Sequence, residues 1–550
     1  MQSSAFKKPG RFFGIIVLFI SFTSYKLYSQ TTYKVGDGQS YTSIGAVPWE
    51  NLVAGDSVKI YWRSAPYKEK WVINRQGQAD KWITVTGVPN SSSQLPVIDG
   101  QDAITRIQLN YWGEERGIIK IGGSNTPADG MPCYIRVENL EIKNARSNFS
   151  FTGRSGIQFY NSNASAVYLE KGENIEIRNC ILTNCGNGFF SAYDSKNVLV
   201  ESCYIFNNGN AGSIYEHNSY TESKNIVFQY NHFGPLLPGS NGNNLKDRSA
   251  GTVIRFNWIE GGNRQLDLVD SEYPEVFNLP EYSSTYVYGN ILIEPDGAGN
   301  NQICHYGGDS GTETAYRKGI LYFFNNTVIS TRSSTTTLLR LSTDSETANC
   351  FNNIIYVTAT GSNLAMLEVY GVMNLQNNWI KDGWVSSHEE FSGTLNNLGN
   401  NISGTSPGFV SVPSQNYSLL QESECIDKGK IVPAGYPVNF EYVRHQQHKT
   451  RDISGPIDLG AYEYSAATLV GSIAAEDLQI FPNPAHEKVF IKCPVLILKI
   501  SIFTLAGQIY SEIISPGYDT VLDLKNFKRG LYLLKIKTDS GIITRKLVVN

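Results

Sequence analysis

The sequence is poor in the residues that staple, ligate or strongly charge a fold. Of 550 residues, eight are cysteine, seven histidine and four methionine. The cysteines are scattered, with neither the density of a disulfide scaffold nor a zinc-ligand spacing. Cys180 and Cys203 hold equivalent places in successive segments, which predicts stacking in a core. A formal net charge of -4 excludes a nucleic-acid surface and a polybasic membrane anchor, so any anion site must be local. Helical periodicity is nearly missing from the middle of the chain. The apolar run Phe12–Phe22 is shorter than the roughly 20 residues that span a bilayer. It follows Lys7, Lys8 and Arg11 and precedes Ser29 and Gln30, the order of a secretory signal peptide over residues 1–29. No cysteine lies near that cleavage point, which speaks against a lipid anchor.

What the chain has in abundance is one phrase: "IEIRNCILTN", "VLVESCYIFN", "VIRFNWIEGG", "YVYGNILIEP", "LYFFNNTVIS", "NCFNNIIYVT". Each is a short alternating strand, a bend and a second short strand. Aligned on Asn139, Asn179, Ser202, Asn231, Asn257, Asn290, Asn326, Asn353 and Asn378, the unit returns every roughly 23 to 40 residues, the range of solenoids. Asparagine tolerates the left-handed conformation of a sharp bend, and its amide can bond to the asparagine one coil away. A β-sandwich would show hairpin turns at shorter, more even spacing. The predicted class is all-β: a right-handed parallel β-helix over residues 30–464, followed by a small C-terminal β-sandwich. Solenoid ends must be covered. "YTSIGAVPWENL" predicts a Ser/Thr-capped short helix at the front, and "SPGFV", "NYSLL", "CIDKGK" and "GPIDLGAYEY" close the back.

These features resemble the secreted bacterial right-handed β-helix proteins, many of which degrade polysaccharides. A Ser/Ala-rich linker over 465–475 then leads to residues 476–550. There Phe481-Pro482-Asn483-Pro484 and the closing Lys546-Leu-Val-Val-Asn550 resemble the type IX secretion C-terminal sorting domain of exported Bacteroidetes proteins. The resemblance implies a partner in the type IX machinery, passage through the periplasm, and a secreted or surface-attached monomer.

Within the solenoid, "GNNLKDRS" sets Lys246 and Arg248 two apart on a strand, where they share one face. Aligning the coils on apolar positions predicts outward columns that bring Tyr215, His217, Lys246, Arg248 and Asp267 into one patch. For β-elimination of a uronate, Arg248 suits a carboxylate because its planar fork makes two hydrogen bonds. Lys246 serves as base if Arg248 lowers its pKa. His217 is the rival base, and Tyr215 or His217 protonates the leaving group. Tyr193, Asp267, Tyr306 and Arg340 are expected to bind substrate, while the alignment turns His305 inward. Asp267, Asp270 and Glu272 offer oxygen ligands for calcium, against the plainer reading of an acidic turn. The cation pair has its own plain reading, a solvated face balanced by Asp247.

Three functions remain open at this level. One is a polysaccharide lyase acting on an acidic glycan. Another is a β-helix glycoside hydrolase, for which Asp267 and Asp270 are the plausible pair, although the Asp-Asp and Gly-His-Gly signatures of pectin-hydrolysing β-helices are missing. The third is a non-catalytic glycan-binding solenoid or adhesin.

Overall fold

The computed structural model describes residues 30–465, 478–504, 508–513, 517–538 and 541–550. The expected signal peptide and nearly all of the expected linker lie outside the described residues.

The body is a parallel β-helix. Strands Ser165–Arg178, Asn187–Glu201 and Ser219–Gln229 lie side by side in parallel register, Phe189 opposite Ser219 and Val200 opposite Phe228. A second parallel sheet of 11 strands climbs the same axis from Val97–Asp99 through Ile181–Thr183 and Trp258–Glu260 to Ile402–Gly404. Between the walls runs an apolar core, from Val35 and Trp71 at the front to Met373 and Ile380 at the back.

Asparagine joins the walls, but in two separate roles. Asn231, Asn257, Asn290, Asn326, Asn353 and Asn378 are fully buried. Each donates its Nδ2 to the Oδ1 of the asparagine one coil on, from Asn231 to Asn257 at 3.0 Å through Asn378 to Asn401 at 3.0 Å. The left-handed bend falls on the residue before: Tyr230, Phe256, Gly289, Asn325, Asn352 and Asn377 have positive φ. The sequence alignment therefore slips by one residue in its first three coils. Asn139, Asn179 and Ser202 are bend residues, and the ladder column there holds Leu140, Cys180 and Cys203. Cys203 still receives the ladder contact, its N–H donating to Asn231 Oδ1 at 2.9 Å. Asn290 alone donates to Ile254 O, Tyr288 O and Asn326 Oδ1. Asn290→Ala strands those acceptors away from water, so a loss of about 2 kcal/mol is expected in chemical denaturation; an unchanged midpoint would show that the ladder is ornamental.

Both ends depart from expectation. The front segment forms two 3-10 turns, Ile44–Ala46 and Trp49–Asn51, and Ser43 makes no capping hydrogen bond. Glu69 supplies the cap instead, accepting from the N–H groups of Ile44 and Gly45, while Trp49 stacks on Trp71 at 5.2 Å. At the back, Phe409, Tyr417, Tyr442 and Leu459 pack along Trp258, Ile291, Ile329, Ile354 and Trp379. This segment thus runs along the flank of the 11-stranded wall, because that wall presents large apolar side chains outward. The C-terminal residues form a separate antiparallel sheet of six strands in which Lys488–Thr504 pairs with Gly517–Asp523 along its first part and Gly530–Thr538 along its second.

Candidate functional site

Register decides which side chains meet. Lys120, Tyr168, Phe190, Tyr220, Lys246, Asp267, His305 and Arg340 occupy one column, each one coil from the next. Over its middle lies a cleft of about 680 Å³ lined by Tyr215, His217, Tyr220, Lys246, Arg248, Asp267 and Asp309, among others. Gly242 admits this packing: a Cβ there would stand 1.7 Å from Glu216 O. The close approach lets Asn243 N–H donate to His217 Nδ1 at 2.9 Å.

Asp267 is the buried hub. Its Oδ2 accepts from Lys246 Nζ at 2.8 Å and Asn243 Nδ2 at 2.7 Å, and its Oδ1 meets His305 Nδ1 at 2.9 Å. Burial opposes its charge, but Lys246 and His305 outweigh that and hold its pKa well below the carboxylate range. Asp309 bridges the two cations from the cleft side, one oxygen on Lys246 Nζ and the other on Arg248 Nη2 at 2.8 Å. Arg248 also donates Nε to Tyr220 Oη at 2.9 Å and Nη1 to Asp270 O. Tyr220 stacks on Phe190 at 5.4 Å and on His217 at 5.6 Å, and burial pushes its pKa up.

Several expectations are corrected. Lys246 does not have a lowered pKa: burial works against its charge, but Asp267 and Asp309 outweigh burial and the repulsion of Arg248, and the net shift is upward. It is a fixed cation and not a base. Burial and then the Lys246 charge push His217 down to about 3. It is therefore neutral, and with Nδ1 accepting from Asn243 its ring proton sits on Nε2, making it a donor. Tyr215 lies in the cleft, but on an exposed turn at its rim, 75% accessible; Tyr220 holds the column position assigned to it. Tyr306 points into the core, fully buried, and His305 takes the outward place, because Cys304 and Tyr306 on either side of it align with the inward Leu266 and Leu268 of the neighbouring coil. Arg340 is outward but beyond the cleft, paired with Glu368 at 3.3 Å. Tyr193 stacks on the lining residue Tyr273 at 3.8 Å, behind the rim.

The calcium expectation does not fit the residues. Asp267 is committed to Lys246, Asn243 and His305, and Asp270 accepts from Asp309 N, Ser310 N and Ser310 Oγ. Among the described residues no group of three or more His, Cys, Asp or Glu converges as ion ligands. The same commitments remove Asp267 and Asp270 as a hydrolytic pair. Asp247 does not balance the cations either. It faces inward and pairs with Arg317 at 3.0 Å, both fully buried.

Sequence reasoning missed Tyr220, Glu222, Asp309 and Arg116. The interior beneath Tyr220 is polar: Ser191, Ser195, Ser219, Thr221 and Ser223 are all buried, and Ser223 Oγ lies 2.7 Å from both Ser191 Oγ and Ser195 Oγ. An alignment on apolar residues therefore selects the exposed Ile214 in this coil. The strict alternation of small hydroxyl residues at Ser219, Thr221 and Ser223 is the signal that marks the true register. Glu222 is buried in the cleft wall, accepting from Ser271 Oγ at 2.5 Å and Glu272 N at 2.9 Å, and burial raises its pKa.

Two family models match the chain, the right handed beta helix region over residues 116–278 and the secretion system C-terminal sorting domain over 479–550. No curated protein matches it in sequence. Similar solved structures include an alginate lyase from Paenibacillus sp. str. FPU-7, 12% identical with TM-score 0.43, covering 62% of this chain and 99% of that one. Another is the GH136 lacto-N-biosidase from Eubacterium ramulus, 11% identical with TM-score 0.40, covering 68% of each. The tailspike of E. coli bacteriophage HK620 is 10% identical with TM-score 0.42, covering 90% of this chain and 84% of that one. At these identities the likeness concerns architecture alone. The protein is a right-handed parallel β-helix joined to a type IX secretion C-terminal sorting domain, the address of an exported chain.

Proposed function

We propose that the cleft cleaves an acidic, uronate-containing glycan by β-elimination. The observation that supports this reading is the seat of Asp309: a carboxylate spans Lys246 and Arg248 at the open side of the cleft, where a substrate carboxylate would make the same two contacts. The Asp309 backbone is anchored, its N–H on Asp270 Oδ1 at 2.7 Å, while its side chain is 32% exposed and would swing out as substrate enters. Lys246 and Arg248 then neutralise the uronate carboxylate and the charge that spreads onto it. Tyr220, whose phenolate burial disfavours and Arg248 partly restores, takes the proton from C5. The released electron pair forms the C4–C5 double bond as the C4–O4 bond breaks, and Tyr220 returns its proton to O4. His217 Nε2–H donates into the cleft.

One observation favours hydrolysis instead. Glu222 is raised by burial, while Asp309 is lowered because Lys246 and Arg248 outweigh its burial; such a divergent pair suits an acid and a base. Asp309→Ala separates the readings on alginate, pectate and glycosaminoglycans. Under elimination the competing carboxylate is gone, so KM falls roughly tenfold and ultraviolet-absorbing unsaturated product persists. Under hydrolysis the variant is dead, and the parent releases reducing ends without that absorbance. A protein that binds these polymers and yields neither product is a glycan-binding solenoid.

A further inference from the structure

The cleft continues past the cations toward the N-terminal coils. Tyr168, Phe190 and Tyr220 form an aromatic strip along the column, Phe190 tilted against Tyr168 at 5.2 Å and stacked on Tyr220 at 5.4 Å. Arg116 lies across it, its guanidinium carbon 4.7 Å from the Tyr168 ring and 5.2 Å from the Phe190 ring. Arg116 is unlike the other cleft cations. Lys246 and Arg248 meet Asp309, and Arg264 sits 3.8 Å from Asp267 and donates to Gln302 at 2.8 Å. No carboxylate among the described residues pairs with Arg116, and its Nε is buried with no hydrogen-bond partner. A lining guanidinium that lies over two rings and meets no carboxylate is suited to a planar anion.

We propose that Arg116 and the Tyr168–Phe190 strip form a subsite for the carboxylate of the sugar adjoining the one at Lys246 and Arg248. Arg116 lies beside rings one and two coils from Tyr220, which Arg248 touches, and two and three coils from Lys246, about 5 to 10 Å from the former and about 10 to 14 Å from the latter along the axis at the spacing of neighbouring strands, a span that carboxylates on successive sugars of one chain bridge. The proposal rests on the acidic-glycan reading above and narrows it. The substrate carries uronates in succession, and a polymer alternating uronate with a neutral amino sugar leaves Arg116 unpaired.

The test measures binding in the full chain carrying Tyr220→Phe, which slows the proposed turnover, with and without Arg116→Gln. Probes are oligomannuronate, oligogalacturonate, single uronates and a chondroitin oligosaccharide. Arg116→Gln is expected to weaken the favoured oligouronate by about 10- to 100-fold and to leave single uronates and chondroitin unchanged. Arg116→Lys restores only part of the loss, since it keeps the charge without the fork. Thermal unfolding of each variant reports folding. Equal oligouronate affinity with and without Arg116 overturns the subsite, as does an equal loss on chondroitin. A parent that binds no uronate oligomer overturns both the subsite and the function. Arg116-dependent binding by a wild-type chain that yields no unsaturated product overturns elimination and leaves the subsite standing.

Discussion

Tyr220→Phe is expected, under the proposed elimination, to lower kcat by about 10²- to 10⁴-fold, the range of a lost general acid-base group. The ring keeps its place between Phe190 and His217, so thermal stability changes little and KM stays close to that of the parent. The lost hydroxyl frees Arg248 Nε, but Asp309 and Asp270 O still hold that guanidinium. The pH profile is the sharper reading. Burial holds Tyr220 above its ordinary pKa, so the ionised fraction, and with it kcat/KM, climbs from neutral toward alkaline pH. His217 has already lost its proton above about 3, so no inflection appears near the ordinary histidine value of about 6.5. A variant with full activity, or a profile breaking near neutrality, would remove Tyr220 from the proton path.

Arg317→Met is expected to cost the fold about 3 to 5 kcal/mol, because it leaves Asp247 charged and unpaired inside the solenoid. Arg317 is fully buried and ties three coils together, donating to Val269 O at 2.7 Å, Thr285 Oγ1 at 3.2 Å and Asp247 Oδ2 at 3.0 Å. Asp247 ends the strand Leu245–Asp247 between Lys246 and Arg248 in sequence, with Thr221 Oγ1 on its Oδ1 at 2.7 Å and Thr252 Oγ1 on its Oδ2 at 2.6 Å. Loosening it therefore also displaces the site. Chemical denaturation of Arg317→Met, Asp247→Asn and the double variant checks the pair. The double is expected to be less destabilised than the sum of the singles; strict additivity would show that the two side chains act independently.

The strand phrase was legible because a stacked asparagine must recur where the walls meet, and a repeated need leaves a repeated letter. Lys246, Arg248 and Asp267 were legible too, since residues two apart share a face and apolar Leu245 and Leu266 mark the register on either side. The alignment failed where the interior stops being apolar. Beneath Tyr220 it is a stack of serine and threonine hydroxyls that satisfy one another, and hydrophobicity carries no register there. Asp309 and Arg116 were out of reach for another reason. They lie 63 residues after and, by number, well before Lys246, on segments that break the strand pattern, so nothing local ties them to the cleft.

By itself the sequence determined the class of the fold, the axis along which its coils stack, and the export address at its end, because each rests on local periodicity or on a contiguous motif. Only the tertiary structure decided the surroundings of the side chains in the cleft. Whether Lys246 is a base or a fixed cation depends on Asp267 and Asp309 brought to it from later coils, and a side chain's charge is set by its neighbours in space, which the order of residues does not state.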